Sequence, residues 1–174
     1  NFLHGLPHFA VSLALVERKE PVAAVIYDPI KDELFIAERG QGAFLNDHRL
    51  RVSGRRRLEQ ALLATGIPFK GKKDHGLFLK ELEAAMSETA GVRRWGSAAL
   101  DLAYVAAGRY DGYWERSLDP WDWAAGVLLV REAGGFVTQI DGRAFDVEGP
   151  SVAAANADLH LGLRKLLSKR EKSA

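Results

Sequence analysis

The sequence predicts a layered sandwich of the α/β or α+β kind, and three observations carry that prediction. Residues 1–60 show successive strand patterns with no helical period between them. Residues 61–174 alternate strands with helices, which adds a second α/β layer set. No repeat, low-complexity tract or Pro/Ser-rich linker divides the two stretches. With 174 residues, 47% of them hydrophobic, the chain can bury one sizeable core, so 1–174 reads as a single domain.

The elements follow in order. His8–Glu17 puts Phe9, Val11, Leu13 and Leu15 on one face and Ala10, Ser12, Ala14 and Val16 on the other, which predicts a strand covered on both sides. Lys19-Glu20-Pro21 turns the chain into a second strand over 22–28, closed by Asp28-Pro29. Residues 33–46 read as two antiparallel strands around Gly40 and Gly42.

From Ala61 the rhythm changes. Residues 61–69 are a strand running into a Gly/Pro loop, and 74–89 have the spacing of an amphipathic helix. A short strand at 92–96 leads into a compact apolar helix, with Ser97 at its start and Gly108 at its stop. Residues 109–115 form a strand, and Asp122 opens the next helix, which two glycines end at Gly135. A pair of strands turning at Asp141-Gly142, a buried strand over 151–158 and a terminal helix that turns basic and frays complete the chain.

Composition removes several functions. A net charge of +1 argues against nucleic acid or an anionic membrane as partner, and Arg55–Arg57 read as a solvated loop. The absence of cysteine excludes disulfides, cysteine-bound zinc and a thiol nucleophile, and it fits a reducing, cytoplasmic location. No apolar run approaches the roughly 18 to 20 residues of a membrane span. Because the chain opens at Asn1 without methionine, it reads as the later part of a longer polypeptide.

Three places could carry chemistry. Gly96-Ser97-Ala98 lets a strand feed a glycine and then a helix whose first N–H groups can meet phosphate or hydroxyls; its alternative is a Ser-capped helix. Glu115 ends a strand, where ligand groups of α/β sheets collect; its alternative is a surface acid paired with Arg116 or another base. Asp122 stands before an apolar stretch, so its helix is buried and the carboxylate needs a partner. A hard cation such as Mg²⁺ is suited to that role, and a helix-capping acid is the alternative.

Other patterns carry less. His4 and His8 have the spacing of a zinc pair, but Gly5 and Pro7 spoil the helix it needs. There is no G-x-S-x-G elbow, and Gly40-Gln41-Gly42 before a strand is a turn.

Three segments together resemble the inositol monophosphatase family. Asn1–Leu15 is similar to the tail of the family's first signature, Asp-Pro-Ile-Asp-Gly-Thr-x-Asn-Phe-x-His-Gly, and Trp121–Gly135 resembles its second. Residues 26–46, 65–69 and 96–115 follow the bacterial branch between them. The resemblance covers Asn1 to about Asn156.

It implies an αβαβα sandwich, incomplete here at the N-terminus, usually in a homodimer. It implies phosphate monoester hydrolysis with Mg²⁺, two or three ions in the full-length site, inhibited by lithium. Asp122 would be a catalytic metal ligand, Glu115 the acid that holds inositol hydroxyls, and Ala98 a backbone N–H contact shaped by Gly96 and Ser97. The substrate would be myo-inositol-1-phosphate or a similar polyol phosphate. Related alternatives are a sugar bisphosphatase, a histidinol phosphatase, a 3′-phosphoadenosine nucleotide phosphatase, or a phosphatase-fold scaffold without turnover. The first-signature acids and threonine lie before Asn1 in the family pattern, so the parent protein is expected to be the enzyme and 1–174 alone to be inactive.

Overall fold

The computed structural model describes residues 1–72 and 74–171, the last three as backbone only. The first half is an antiparallel meander: β1 (Val11–Glu17), β2 (Glu20–Asp28), β3 (Glu33–Glu38), β4 (Gly42–Leu45) and β5 (His48–Arg49) pair in sequence order. Two tight turns close hairpins with positive φ at both central residues, Arg18-Lys19 and Asn46-Asp47, the conformation that matches the strand twist.

The second half is a mixed sheet ordered β7-β6-β8-β10-β9, built from β6 (Leu62–Thr65), β7 (Gly91–Arg93), β8 (Gly112–Arg116), β9 (Phe136–Thr138) and β10 (Ser151–Ala155). β6 runs parallel to both β7 and β8, whereas β10 is antiparallel to β8 and β9. Four helices complete the fold: α1 (His75–Glu88), α2 (Ala98–Ala106), α3 (Pro120–Glu132) and α4 (Ala157–Glu171). None is long and apolar enough to cross a membrane among the described residues.

Strand alternation sorts the core into layers. Ala24, Ile26, Phe35 and Ala37 point from the first sheet into one cluster with α2, α3 and the Tyr113, Val152 and Ala154 face of the second sheet. The opposite face of the second sheet carries Leu63, Trp114 and Ala153 into a separate cluster with Ala85 of α1 and Leu159, Leu163 and Leu167 of α4. The order is therefore sheet, helix pair, sheet, helix pair, a layered α/β sandwich. Gly126 sets the spacing of the inner pair, because a Cβ there would overlap the Leu102 side chain of α2.

Four expectations are corrected. β1 is not covered on both sides: Val11, Leu13 and Leu15 are exposed on the outward face, beside Leu34 and Ile36, and no described helix packs there. Periodicity shows that both faces are apolar; it does not show that something covers them. The second arm after Asp141-Gly142 is only an isolated bridge, Thr138 to Ala144, although the turn forms with Gly142 N–H donating to Gln139 O at 3.0 Å. β10 ends at Ala155, and Asn156 starts α4 instead by accepting the Leu159 N–H at 2.9 Å.

The fourth correction concerns α3. Asp119 is its N-cap and Pro120 its first residue, so Asp122 stands in the first turn rather than opening the helix. Asp122 Oδ2 accepts the Asp119 N–H at 3.1 Å, the return half of a capping box. The burial expected behind it holds: Trp123 through Val130 are all buried. The fraying expected at the terminus falls largely on residues 172–174, outside the described residues.

Candidate active site at the ends of three parallel strands

Because β6, β7 and β8 run parallel, their carboxyl ends reach one edge of the sheet. The chain leaves β6 into the loop that begins at Gly66, leaves β7 into 94–97 and then α2, and leaves β8 into 117–119 and then α3. Two helix N-termini therefore open on that edge, with their partial positive charge and unpaired N–H groups. The Thr65 hydroxyl fastens it by donating to Trp114 O at 2.8 Å.

An open cleft of about 620 Å³ lies there, and Gly96, Ser97, Ala98, Glu115 and Asp122 all line it. Every residue singled out in the sequence as a site candidate thus meets in one place. Ser97 is at the N-cap of α2 but makes no side-chain capping bond, so the plain Ser-cap alternative is not what the residue does. Gly96 adopts φ +84°, and a side chain there would run into the Arg94 guanidinium.

Alternation along β8 explains Glu115. Tyr113 and Glu115 share a face, and the Tyr113 hydroxyl donates to Glu115 Oε2. Arg116 does not pair with it; that guanidinium turns to Glu81 at 2.7 Å. Gly66 is required opposite, since a Cβ there would collide with the Glu115 carboxylate. Burial pushes the Glu115 carboxyl above its ordinary value; the Tyr113 bond opposes the shift and the nearby Asp122 charge adds to it.

Asp122 is likewise shifted up, first by burial, with Asp119 adding repulsion and the Asp119 N–H and Lys72 opposing. The cleft also holds Asp101, in the first turn of α2 and 1% exposed, whose Oδ1 has no hydrogen-bond partner. Burial disfavours the charged forms of Asp101, Glu115 and Asp122, with Arg94 and Lys72 opposing among the described residues, and a bound cation would offset that cost. The chemistry of Asp122 suits a cation ligand, because among the described residues only Oδ2 takes a hydrogen bond and Oδ1 is left over. Among the described residues no group of three His, Cys, Asp or Glu stands close enough to hold an ion.

Sequence reading missed Asp101, Gly66, Lys72 and Arg94. Gly66-Ile67-Pro68 after a strand was a usable signal for a special loop; Asp101 inside an apolar helix was a second. His4 and His8 do not act together: a 3₁₀ turn over Phe2–His4 and Gly5 at φ +67° separate exposed His4 from buried His8. Trp121 is 68% exposed and lines the cleft, whereas Trp123 is buried and donates to Val147 O at 3.0 Å, so only the second packs the helix entrance.

Comparison with known proteins places the chain. The inositol monophosphatase family profile matches residues 1–172. An inositol-1-monophosphatase of Rhizobium meliloti is 53% identical over 169 residues, covering 97% of this chain and 64% of that protein. The Nus factor SuhB of Pseudomonas aeruginosa is 51% identical over 158 residues, covering 90% and 58%. The crystal structure of the extragenic suppressor protein suhB from Bartonella henselae superposes with a TM-score of 0.93 at 56% identity, covering 97% of this chain and 66% of that one. The chain thus spans between about half and two thirds of the length of the curated relatives it matches.

Proposed function

This chain belongs to the inositol monophosphatase family, and on that premise we propose that it carries part of a Mg²⁺-dependent phosphate monoesterase. The substrate is myo-inositol-1-phosphate or a similar polyol phosphate, and the product alcohol is held by Glu115. The observation that carries this reading is the convergence of Asp122, Glu115 and the α2 N-terminus on one cleft at the strand ends.

The residues divide the work. Asp122 Oδ1 is the ligand this chain offers to Mg²⁺, while the bond from Asp119 N–H holds Oδ2 and fixes the rotamer. An ion held there would supply charge neutralisation at the phosphate, an activated water and stabilisation of the leaving alkoxide. Glu115, oriented by Tyr113, accepts hydrogen bonds from ring hydroxyls and adds nothing to bond breaking. The Ala98 N–H, shaped by Gly96 and Ser97, meets the substrate from the positive end of α2. Residues 1–174 contribute one metal-binding carboxylate, so on their own they are expected to be inactive. Lithium sensitivity, a homodimer and a cytoplasmic location belong to the same proposal.

A second reading has its own observation. A cavity of about 170 Å³, walled partly by Phe69, Phe78 and Trp114, adjoins the cleft through Gly66, Glu115 and Asp122. That apolar room suits a phosphate ester with a larger or flatter alcohol, such as a 3′-phosphoadenosine nucleotide. Competition between inositol-1-phosphate and that nucleotide in the full-length protein separates them. Preference for the polyol ester supports the first reading, and equal or better turnover of the nucleotide sinks it. The relatives named Nus factor SuhB keep a scaffold role in view; it requires that function survive Asp122→Asn.

A further inference from the structure

The side chain of Asn1 joins two parts of the chain that are far apart in sequence. Its Nδ2 donates to His8 O at 2.7 Å, Trp95 O at 3.0 Å and Gly96 O at 3.2 Å. An amide nitrogen has two hydrogens, so the three carbonyls share them, and three acceptors on one side identify that end of the amide as the nitrogen. The base of the side chain is held as well. Asn1 O accepts the His4 N–H at 3.0 Å and the Leu6 N–H at 3.1 Å, which closes the turn in which Asn1 stands. An aromatic contact reinforces the polar one, with the His8 and Trp95 ring centroids 5.2 Å apart. Residues 1–8 and the loop 94–97 are therefore fastened to each other at the cleft, which Asn1, Gly96, Ser97 and Ala98 line together.

That loop gains from a tether. Gly96 stands at φ +84°, and a glycine has too many accessible conformations to select this one by itself. Ser97 is the N-cap of α2 yet makes no side-chain capping bond, so its hydroxyl does not fix the helix start. Asn1 supplies a restraint from outside, on the last two carbonyls before the N-cap. The Gly96–Ser97 peptide is trans, so its C=O and N–H point in opposite directions. Holding Gly96 O toward Asn1 thus sets the direction of the Ser97 N–H, and the next N–H along belongs to Ala98. We propose that Asn1 is a positioning residue of this site, orienting the first N–H groups of α2 for the substrate through the 94–97 loop. The inference rests on the polyol-phosphate reading and adds the residue that sets how well the α2 N-terminus binds.

The test compares Asn1→Ala with wild type in the full-length protein. It uses steady-state kinetics on inositol-1-phosphate, hydrogen exchange of the 94–98 amides, and the unfolding midpoint. KM is expected to rise roughly 3- to 15-fold, the span of one net hydrogen bond, with kcat nearly retained. The 94–98 amides should exchange faster, while those of β6 and β8 keep their rates. A purely structural asparagine gives another pattern: a lower midpoint with unchanged KM, because every folded molecule binds as before. Unchanged KM therefore overturns the proposal, whatever the exchange rates do. A raised KM without faster exchange in 94–98 overturns it too, since Asn1 would then meet the substrate directly. Asn1 is only half-buried, so the alanine variant is expected to fold. If it does not, Asn1→Ser, whose hydroxyl is too short to span the three carbonyls, repeats the comparison under the same criteria. Turnover of inositol-1-phosphate by wild type tests the underlying reading separately. If wild type turns it over and the variant keeps the same KM, only the Asn1 assignment fails.

Discussion

The Tyr113 hydroxyl donates to Glu115 Oε2 from two residues earlier on the same strand, so one face of β8 supplies both the cleft acid and the group that aims it. Burial pushes Glu115 up and the Tyr113 bond pulls it back, so the bond holds both its direction and its charge. Tyr113→Phe removes that restraint. The expected outcome in the full-length protein is a KM for inositol-1-phosphate raised about 5- to 30-fold, with the acid limb of kcat/KM moved to higher pH. A KM-against-pH series on the variant checks both.

Glu115→Gln gives a different pattern. It keeps the shape and removes the charge, so binding weakens while kcat is nearly retained. Steady-state kinetics decide: a kcat loss as large as the KM change would place Glu115 in bond breaking instead.

Stability against pH follows from Asp101. Its folded carboxyl is raised to about 8 from an ordinary value of 3.8, so the folded state keeps a proton that the unfolded state has lost. Between those values the unfolded state binds fewer protons, and the contribution of this group to stability falls as pH rises. It is harmless below the lower value and fully unfavourable above about 8. Glu115, Tyr113, Tyr110 and Arg94 are the charged or titratable groups coupled to it. Asp101→Asn should therefore stabilise the protein by an amount that grows from pH 4 to pH 8, on the order of a few kcal/mol. Urea unfolding of both proteins at pH 5 and pH 9 measures that difference.

Packing gives one more outcome. Gly126→Ala places a methyl group against Leu102, in the core between the two sheets. The expected cost is about 1–3 kcal/mol, read as a lower denaturant midpoint with an unchanged slope.

Much of the fold was legible because alternation and helical spacing mark which faces an element can bury. The turn at Asp28-Pro29, the hairpin around Gly40 and Gly42, and the strand–helix alternation after Ala61 all emerged from local pattern. Asp122 does line the cleft with the other candidates but was placed wrongly in its helix, since Asp119-Pro120 already carried the N-cap and first-residue signals. Asp101 was not legible. Its chemistry depends on being buried beside Glu115, which lies on a different element and meets it only once α2 packs against β8. The exposed outward side of β1 was illegible for a related reason: apolar residues on both faces fix what a strand could bury, not what covers it.

The proposed role of Asp122 is to offer its carboxylate to a catalytic Mg²⁺. The most direct measurement is Mg²⁺-dependent phosphate release from inositol-1-phosphate by the full-length protein and its Asp122→Asn variant. Asn can still accept the Asp119 N–H, so the helix start and the unfolding midpoint should be preserved. Turnover is expected to fall by about two orders of magnitude or more, with folding intact. Full activity in Asp122→Asn at the same Mg²⁺ concentration would contradict it.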